Sequence, residues 1–134
     1  YRVEQDRSGI SNGNPFGLEA LMSAYKEGAP WLEELKAHLL SNIGYVNRFL
    51  KTHQLPIKSV PTEATFLMWL DCTEMGLSHD QLVDFFIHKA KLGLNDGKSF
   101  GHAGEGFMRL NVGISKDVLK EAMQRLRDAY KAVC

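Results

Sequence analysis

Two kinds of hydrophobic period follow one another in this chain, and the change between them limits the fold more than any other feature. Leu32, Leu35, Leu39, Ile43, Val46, Phe49 and Leu50 trace one stripe at helical spacing, over roughly five turns. At Leu55-Pro56 the stripe stops. Beyond it, Thr65 to Leu70 and Phe107 to Val112 are short runs rich in β-forming residues, of strand length and strand composition. A chain with one long amphipathic helix and a few short strands must cover a small sheet with helices.

Local signals place the remaining elements. Asn14-Pro15 is an N-cap followed by proline at the first helical position, and Leu18, Leu21, Met22 and Tyr25 continue as a helical face. Gly28 ends or bends that helix, and Pro30 restarts it, with Glu33 and Glu34 in a first turn where the helix dipole favours negative charge. Ile57 to Val60 reads as a short strand, and Thr65 to Leu70 as a central strand buried on both faces. Ser78 and Gln81 form a capping-box pair ahead of a short helix that ends near Ala90. Lys91 to Leu94 is expected as another strand, followed by a glycine-rich loop with Gly97, Gly101, Gly104 and Gly106. Ser115 caps a last helix carrying Val118, Leu119, Ala122, Met123, Leu126 and Tyr130. Helices and strands are interspersed, yet the strands are too few for a doubly wound sheet. The expected fold is α+β, a two-layer sandwich with a small mixed or antiparallel sheet packed against helices.

Composition removes several function classes. Lys+Arg and Asp+Glu both number 16, so the formal charge is zero, which argues against a dedicated nucleic-acid binder. Hydrophobic residues make up 44% of the 134, enough for a packed core at this length. No apolar run approaches a membrane span, the longest being Phe66 to Leu70, and the N-terminus lacks a signal-peptide pattern. The two cysteines, Cys72 and Cys134, form neither a disulfide framework nor a zinc pattern. They fit a reducing compartment, and a cytoplasmic setting is expected. The first residue is Tyr1 rather than Met, from which the expectation is a piece of a longer chain.

The chemistry-bearing candidates are few. In the last strand Phe107, Arg109 and Asn111 point one way and Met108, Leu110 and Val112 the other. The second set faces the helices. The first leaves Arg109 on the opposite face, just after the glycine loop, where a guanidinium suits a carboxylate in a two-pronged geometry. The plain alternative is an edge arginine paired with a surface acid. Gly93 to Ser99 approaches a phosphate-binding loop but is one residue short between its glycines, and no helix follows Lys98-Ser99. Ser23-Ala-Tyr-Lys26 matches an acyl-enzyme pattern without its companion motifs. The histidines His38, His53, His79, His88 and His102 show no metal-ligand doublet, so no metal site is expected. His102 alone falls in the glycine loop, where a solvated surface role accounts for it. Packing accounts for Trp31 and Trp69. No self-sufficient catalytic set is present.

Three stretches taken together carry a resemblance. They are Thr62-Glu-Ala-Thr-Phe-Leu-Met-Trp-Leu-Asp71, then Gly93-Leu-Asn-Asp-Gly97 with Phe100-Gly101, then Gly104-Glu-Gly-Phe-Met-Arg-Leu-Asn111. In order and spacing they resemble the C-terminal small domain of class I/II pyridoxal-phosphate-dependent aminotransferases of fold type I. The branch is that of cystathionine β-lyases and maltose-regulon modulators. Asn14-Pro-Phe-Gly17 and Tyr25 to Leu40, with Gly28 and Trp31-Leu32, are similar to that branch as well.

The resemblance implies residues 1–28 as a lead-in and interdomain helix on the large-domain side, and 29–134 as the small C-terminal domain. It implies that Arg109 binds the α-carboxylate of an amino-acid substrate and that Asn95, Gly97, Phe100 and Gly101 border the site. The cofactor lysine, the aspartate at its ring nitrogen and the phosphate cradle would belong to a large domain of the same chain. Pyridoxal 5'-phosphate is then expected in the parent, a homodimeric aminotransferase or C–S β-lyase. None is expected bound to this fragment, which would be inactive alone. The competing expectations are a free-standing α+β module that senses a carboxylated metabolite through Arg109, and a structural interaction domain built on the long helix from Pro30.

Overall fold

A computed structural model describes residues 14–133. Residues 1–13, the start of the expected lead-in over 1–28, and Cys134 lie outside the described residues. The backbone divides into two compact units, with the division after Ala37.

In the first unit, α1 (Pro15–Glu27) starts where the cap predicts. Asn14 is extended, and its side-chain oxygen accepts the Gly17 N–H at 2.8 Å. The helix stops at Gly28, whose N–H donates to the Ala24 carbonyl. The face of Leu18, Leu21, Met22 and Tyr25 forms, yet no residue of α1 is buried. The next helix, α2 (Ala29–Thr52), carries Pro30 in its first turn, and Trp31 and Leu32 are exposed. Packing therefore does not account for Trp31.

From His38 onward the stripe meets a core. Asn42, Val46, Phe49 and Leu50 of α2 are buried. Gln54 adopts a left-handed backbone, φ 51°, and the Leu55 N–H bonds back to the Leu50 carbonyl at 3.0 Å, which stops the helix before Pro56. Four strands follow: β1 (Lys58–Ser59), β2 (Leu67–Asp71), β3 (Asn95–Asp96) and β4 (Phe107–Asn111). The sheet runs β1-β2-β4-β3 with every pairing antiparallel. Between β2 and β3 lies α3 (His79–Asp84), opened by the expected Ser78–Gln81 capping box and closed by a π-turn over Phe85–Lys89. The last helix is α4 (Lys116–Val133), and the Ser115 hydroxyl accepts the Val118 N–H at 3.5 Å.

One face of the sheet is covered. Met68 and Leu70 of β2 and Met108 and Leu110 of β4, with Val112 beyond it, join Val46, Phe49, Leu50, Leu82, Phe86, Leu119, Met123 and Leu126 in one buried cluster. The fold is α+β, and of the two sheet types left open the antiparallel one is observed. Among the described residues no helix is long and apolar enough to cross a membrane.

Two strand expectations are corrected. β2 is central in the order, but it alternates buried and half-buried residues instead of being buried on both faces. Lys91 to Leu94 forms no strand. Lys91 is left-handed, φ 55°, and the Leu92 N–H reaches back to the Phe86 carbonyl at 2.8 Å. That stretch is spent on closing the preceding helix, and pairing begins only at Asn95.

Candidate functional site

Strand parity decides what the uncovered face carries. With Met68, Leu70, Met108 and Leu110 turned inward, Leu67, Trp69 and Asp71 share the outer face with Phe107, Arg109 and Asn111. The register places Trp69 opposite Arg109, and Asn95 opposite Arg109 on the other side. Arg109 thus sits mid-strand between two neighbours, where its Cα is fixed by ladders on both edges.

The guanidinium is held in two ways. Nη2 donates to the Asn95 side-chain oxygen at 3.0 Å, and the Cζ lies 4.5 Å from the centroid of the Phe100 ring. Phe100 in turn meets Trp69 edge-on at 5.6 Å, and Trp69 stacks on Phe107 at 5.8 Å with 13° between the planes. Cation–π contact and ring stacking hold this row without any acid. Among the described residues no carboxylate lies within ion-pair distance of Arg109, and its buried Nε–H has no acceptor. Among the described residues Arg109 therefore does not make the surface-acid pairing considered above.

Short helical turns bring Phe100 to the guanidinium. Gly97–Phe100 and His102–Gly104 are 3-10 turns, with Gly101 between them at φ 123°. Gly97 and Gly104 press backbone on backbone: a Cβ on Gly97 would stand 2.3 Å from the Gly104 oxygen and 2.4 Å from the Phe107 oxygen. Only glycine closes the loop this tightly. Of the residues expected at the rim, Asn95 and Phe100 touch Arg109, whereas Gly97 and Gly101 shape the turn that presents Phe100.

At the foot of this loop the Asp96 carboxylate accepts from His79 Nε2 at 2.6 Å and from the Lys98 N–H at 2.7 Å. Desolvation alone would raise the Asp96 carboxyl, but these hydrogen bonds outweigh it and hold it below its ordinary value. At the end of β2, hydrogen bonds from the Thr73 hydroxyl and N–H likewise hold the Asp71 carboxyl low. Burial pushes the Cys72 thiol up to about 12, so it is no nucleophile at neutral pH.

Other sequence candidates fall elsewhere. His102 is 92% exposed beside Glu105, and Ser23 and Lys26 are exposed on α1. Among the described residues no group of three or more potential ligands could hold a metal. Trp69 does pack, though on the outer face in the aromatic row and not in the core. Its parity with Leu67 and Asp71 is the signal that places it there. His79, buried at 5% exposure, had no comparable signal.

The donor set can be tested against pyridoxal phosphate, the cofactor implied by the resemblance. An amide-braced guanidinium facing outward suits a carboxylate. Lys98, the one lysine of the loop, is exposed, and its backbone N–H is already bonded to Asp96. These residues suit a carboxylate and do not by themselves make a site for the cofactor.

No family model matches the chain. Individual proteins match it over nearly its whole length. It is 37% identical over 129 residues to the cystathionine beta-lyase PatB of Bacillus subtilis, covering 96% of this chain and 33% of PatB. It is 30% identical over 127 residues to the protein MalY of Escherichia coli, covering 95% of this chain and 33% of MalY. The solved structure of cystalysin from Treponema denticola, which contains a pyridoxal 5'-phosphate cofactor, matches with a TM-score of 0.89 at 30% identity, covering 97% of this chain and 34% of cystalysin. The chain spans about a third of the length of these relatives.

Proposed function

The chain corresponds to the C-terminal part of pyridoxal-phosphate-dependent aminotransferase-fold proteins, and from that premise we propose that it acts as the substrate-gripping small domain of an aminotransferase or C–S β-lyase. Arg109 binds the α-carboxylate of an L-amino acid. A large domain of the same protein holds pyridoxal phosphate, and the whole works as a homodimer in the cytoplasm. Alone, the domain grips substrate and does no chemistry.

The observation that carries this reading is the guanidinium of Arg109, braced by Asn95 and Phe100 with no acid of its own among the described residues. A free arginine loses considerable side-chain entropy when it grips an anion. Here the amide and the ring have already fixed its orientation, so less is lost on binding. A carboxylate meets two parallel N–H donors, which sets both its position and the plane of the group. That fixes where the substrate's α-carbon lies, the kind of positioning that converts binding energy into effective concentration. In the full protein the cofactor would supply the electron sink for the charge left when the α-proton is removed. The aromatic row from Phe100 through Trp69 to Phe107 walls the site on the sheet side.

Arg109→Ala in the full-length holoprotein is expected to lower kcat/KM for L-cystathionine by the equivalent of about 1.5–3 kcal/mol, the range for a hydrogen bond to a charged group. Steady-state kinetics with thiol release as the signal checks this. Arg109→Lys should recover only part of the loss, because an ammonium cannot make the two-pronged contact. Unchanged kcat/KM in Arg109→Ala would remove the role.

A further inference from the structure

The loop between β3 and β4 leaves the sheet after Asp96 and rejoins it at Gly106, and one buried side chain touches both ends. His79, the first residue of α3, sends Nε2 to the Asp96 carboxylate at 2.6 Å, and its Nδ1 accepts the Gly106 N–H at 3.0 Å. Because Nδ1 accepts, the ring proton sits on Nε2 and is donated to Asp96. Both ring nitrogens are thus spent on the two feet of a single loop. Gly106 is further tied by its carbonyl, which accepts the Cys72 N–H at 2.9 Å. A histidine that merely filled the core would be satisfied by any nearby carbonyl. This one closes a bracket.

What the bracket holds is the face of the carboxylate site. Asn95 directly precedes Asp96 and bonds Arg109, and Phe100, in the middle of the loop, lies over the guanidinium. We propose that His79 is a positioning residue for Arg109: by clasping Asp96 to Gly106 it fixes the loop that presents Asn95 and Phe100 to the guanidinium. The inference rests on the carboxylate reading for its purpose, and on the geometry of the loop for its existence. His79 touches no substrate. Its effect passes through Asp96 and Gly106.

The test uses the full-length holoprotein and two readouts. Deuterium uptake is followed in the peptide spanning residues 97–106, and KM and kcat are measured with L-cystathionine. His79→Phe keeps the ring volume and loses both bonds. Asp96→Ser keeps a cap for the Lys98 N–H but is too short to reach His79, and it alters a half-exposed side chain, so it decides the matter if His79→Phe fails to fold. Both should speed uptake in the loop about tenfold, the factor that one net hydrogen bond corresponds to. Both should raise KM more than they lower kcat. Asp96→Asn, which retains an acceptor for His79, should recover much of the slow uptake.

Uptake within about twofold of the unaltered protein in Asp96→Ser would overturn the clasp. Arg109→Ala separates the two ideas. If it raises KM about tenfold or more while Asp96→Ser leaves KM unmoved, the carboxylate reading stands and this proposal falls. If Arg109→Ala itself leaves KM unmoved, the carboxylate reading falls, and the purpose given to the clasp falls with it, whatever the loop does.

Discussion

α1 and α4 look alike as sequences and behave differently as structures. Each places apolar residues at helical spacing along one side, Leu18, Leu21, Met22 and Tyr25 in α1 and Leu119, Met123, Leu126 and Ala129 in α4. In α4 those four are buried; in α1 none is, and Tyr25 stands 86% exposed. α2 shows the same contrast within one helix: none of its residues before Ala37 is buried, whereas Val46, Phe49 and Leu50 lie in the core. A period of 3.6 builds an apolar face; it does not provide the surface that covers it. Stability of this chain should therefore be concentrated after Ala37. The largest expected effect tests that directly. Phe86→Ala, at a fully buried ring, should cost about 3–5 kcal/mol in urea denaturation of the 134-residue chain. Leu21→Ala should stay within about 0.5 kcal/mol, because the side chain gives up little burial and alanine is a good helix former. A large loss in Leu21→Ala would break the comparison.

A smaller effect sharpens the contrast inside α2. Asn42 is fully buried, and its Nδ2 lies 2.9 Å from the Val112 carbonyl and 3.0 Å from that of Ile114. It ties the helix to the chain just past β4, the strand that carries Arg109. Asn42→Ala strips a donor from the buried Val112 carbonyl, at a cost of about 1–3 kcal/mol. Lys36, a turn and a half earlier, pairs with Glu33 on an open surface. Lys36→Ala should move the denaturation midpoint hardly at all. Equal losses at the two positions would mean that Asn42 is less committed to the chain past β4 than its distances indicate.

What could be read from the sequence follows the range over which each feature is determined. The caps at Asn14 and Ser78 are fixed by contacts three residues away, and both form as the residues dictate. The parity of β4 is equally local, so Arg109 could be assigned to the outer face without a structure. Lys91 to Leu94 formed no strand for a related reason: a Lys-Leu-Gly-Leu tetrapeptide looks the same whether it pairs in a sheet or closes a helix, and the left-handed Lys91 decides. The bracing of Arg109 is another matter. Asn95 reaches it across a strand pair 14 residues away. His79 finds its partners 17 and 27 residues later in the chain. No window of local sequence contains those pairs. Asn95 and Phe100 entered through family resemblance, and His79 entered only when the loop was folded.

The smallest expected effect concerns acid, and it too should sort by region. The carboxyls of Asp71 and Asp96, both held below the ordinary value, lie after Ala37, at the end of β2 and at the foot of the loop. For a carboxyl whose folded pKa is depressed, the unfolded chain takes up a proton first as the pH falls. The stabilisation is therefore complete above the unfolded value near pH 4, declines below it, and is gone once the pH has passed the lower folded value. Both side chains face water, so screening keeps the effect modest. Urea midpoints compared at pH 7 and pH 3 should show Asp96→Asn differing from the unaltered chain more at pH 7 than at pH 3. The gap closes in acid because the protonated aspartate has already lost what the amide lacks. A gap that widened toward pH 3 would reverse the sign and place the charge-dependent stability of this loop on a group other than Asp96.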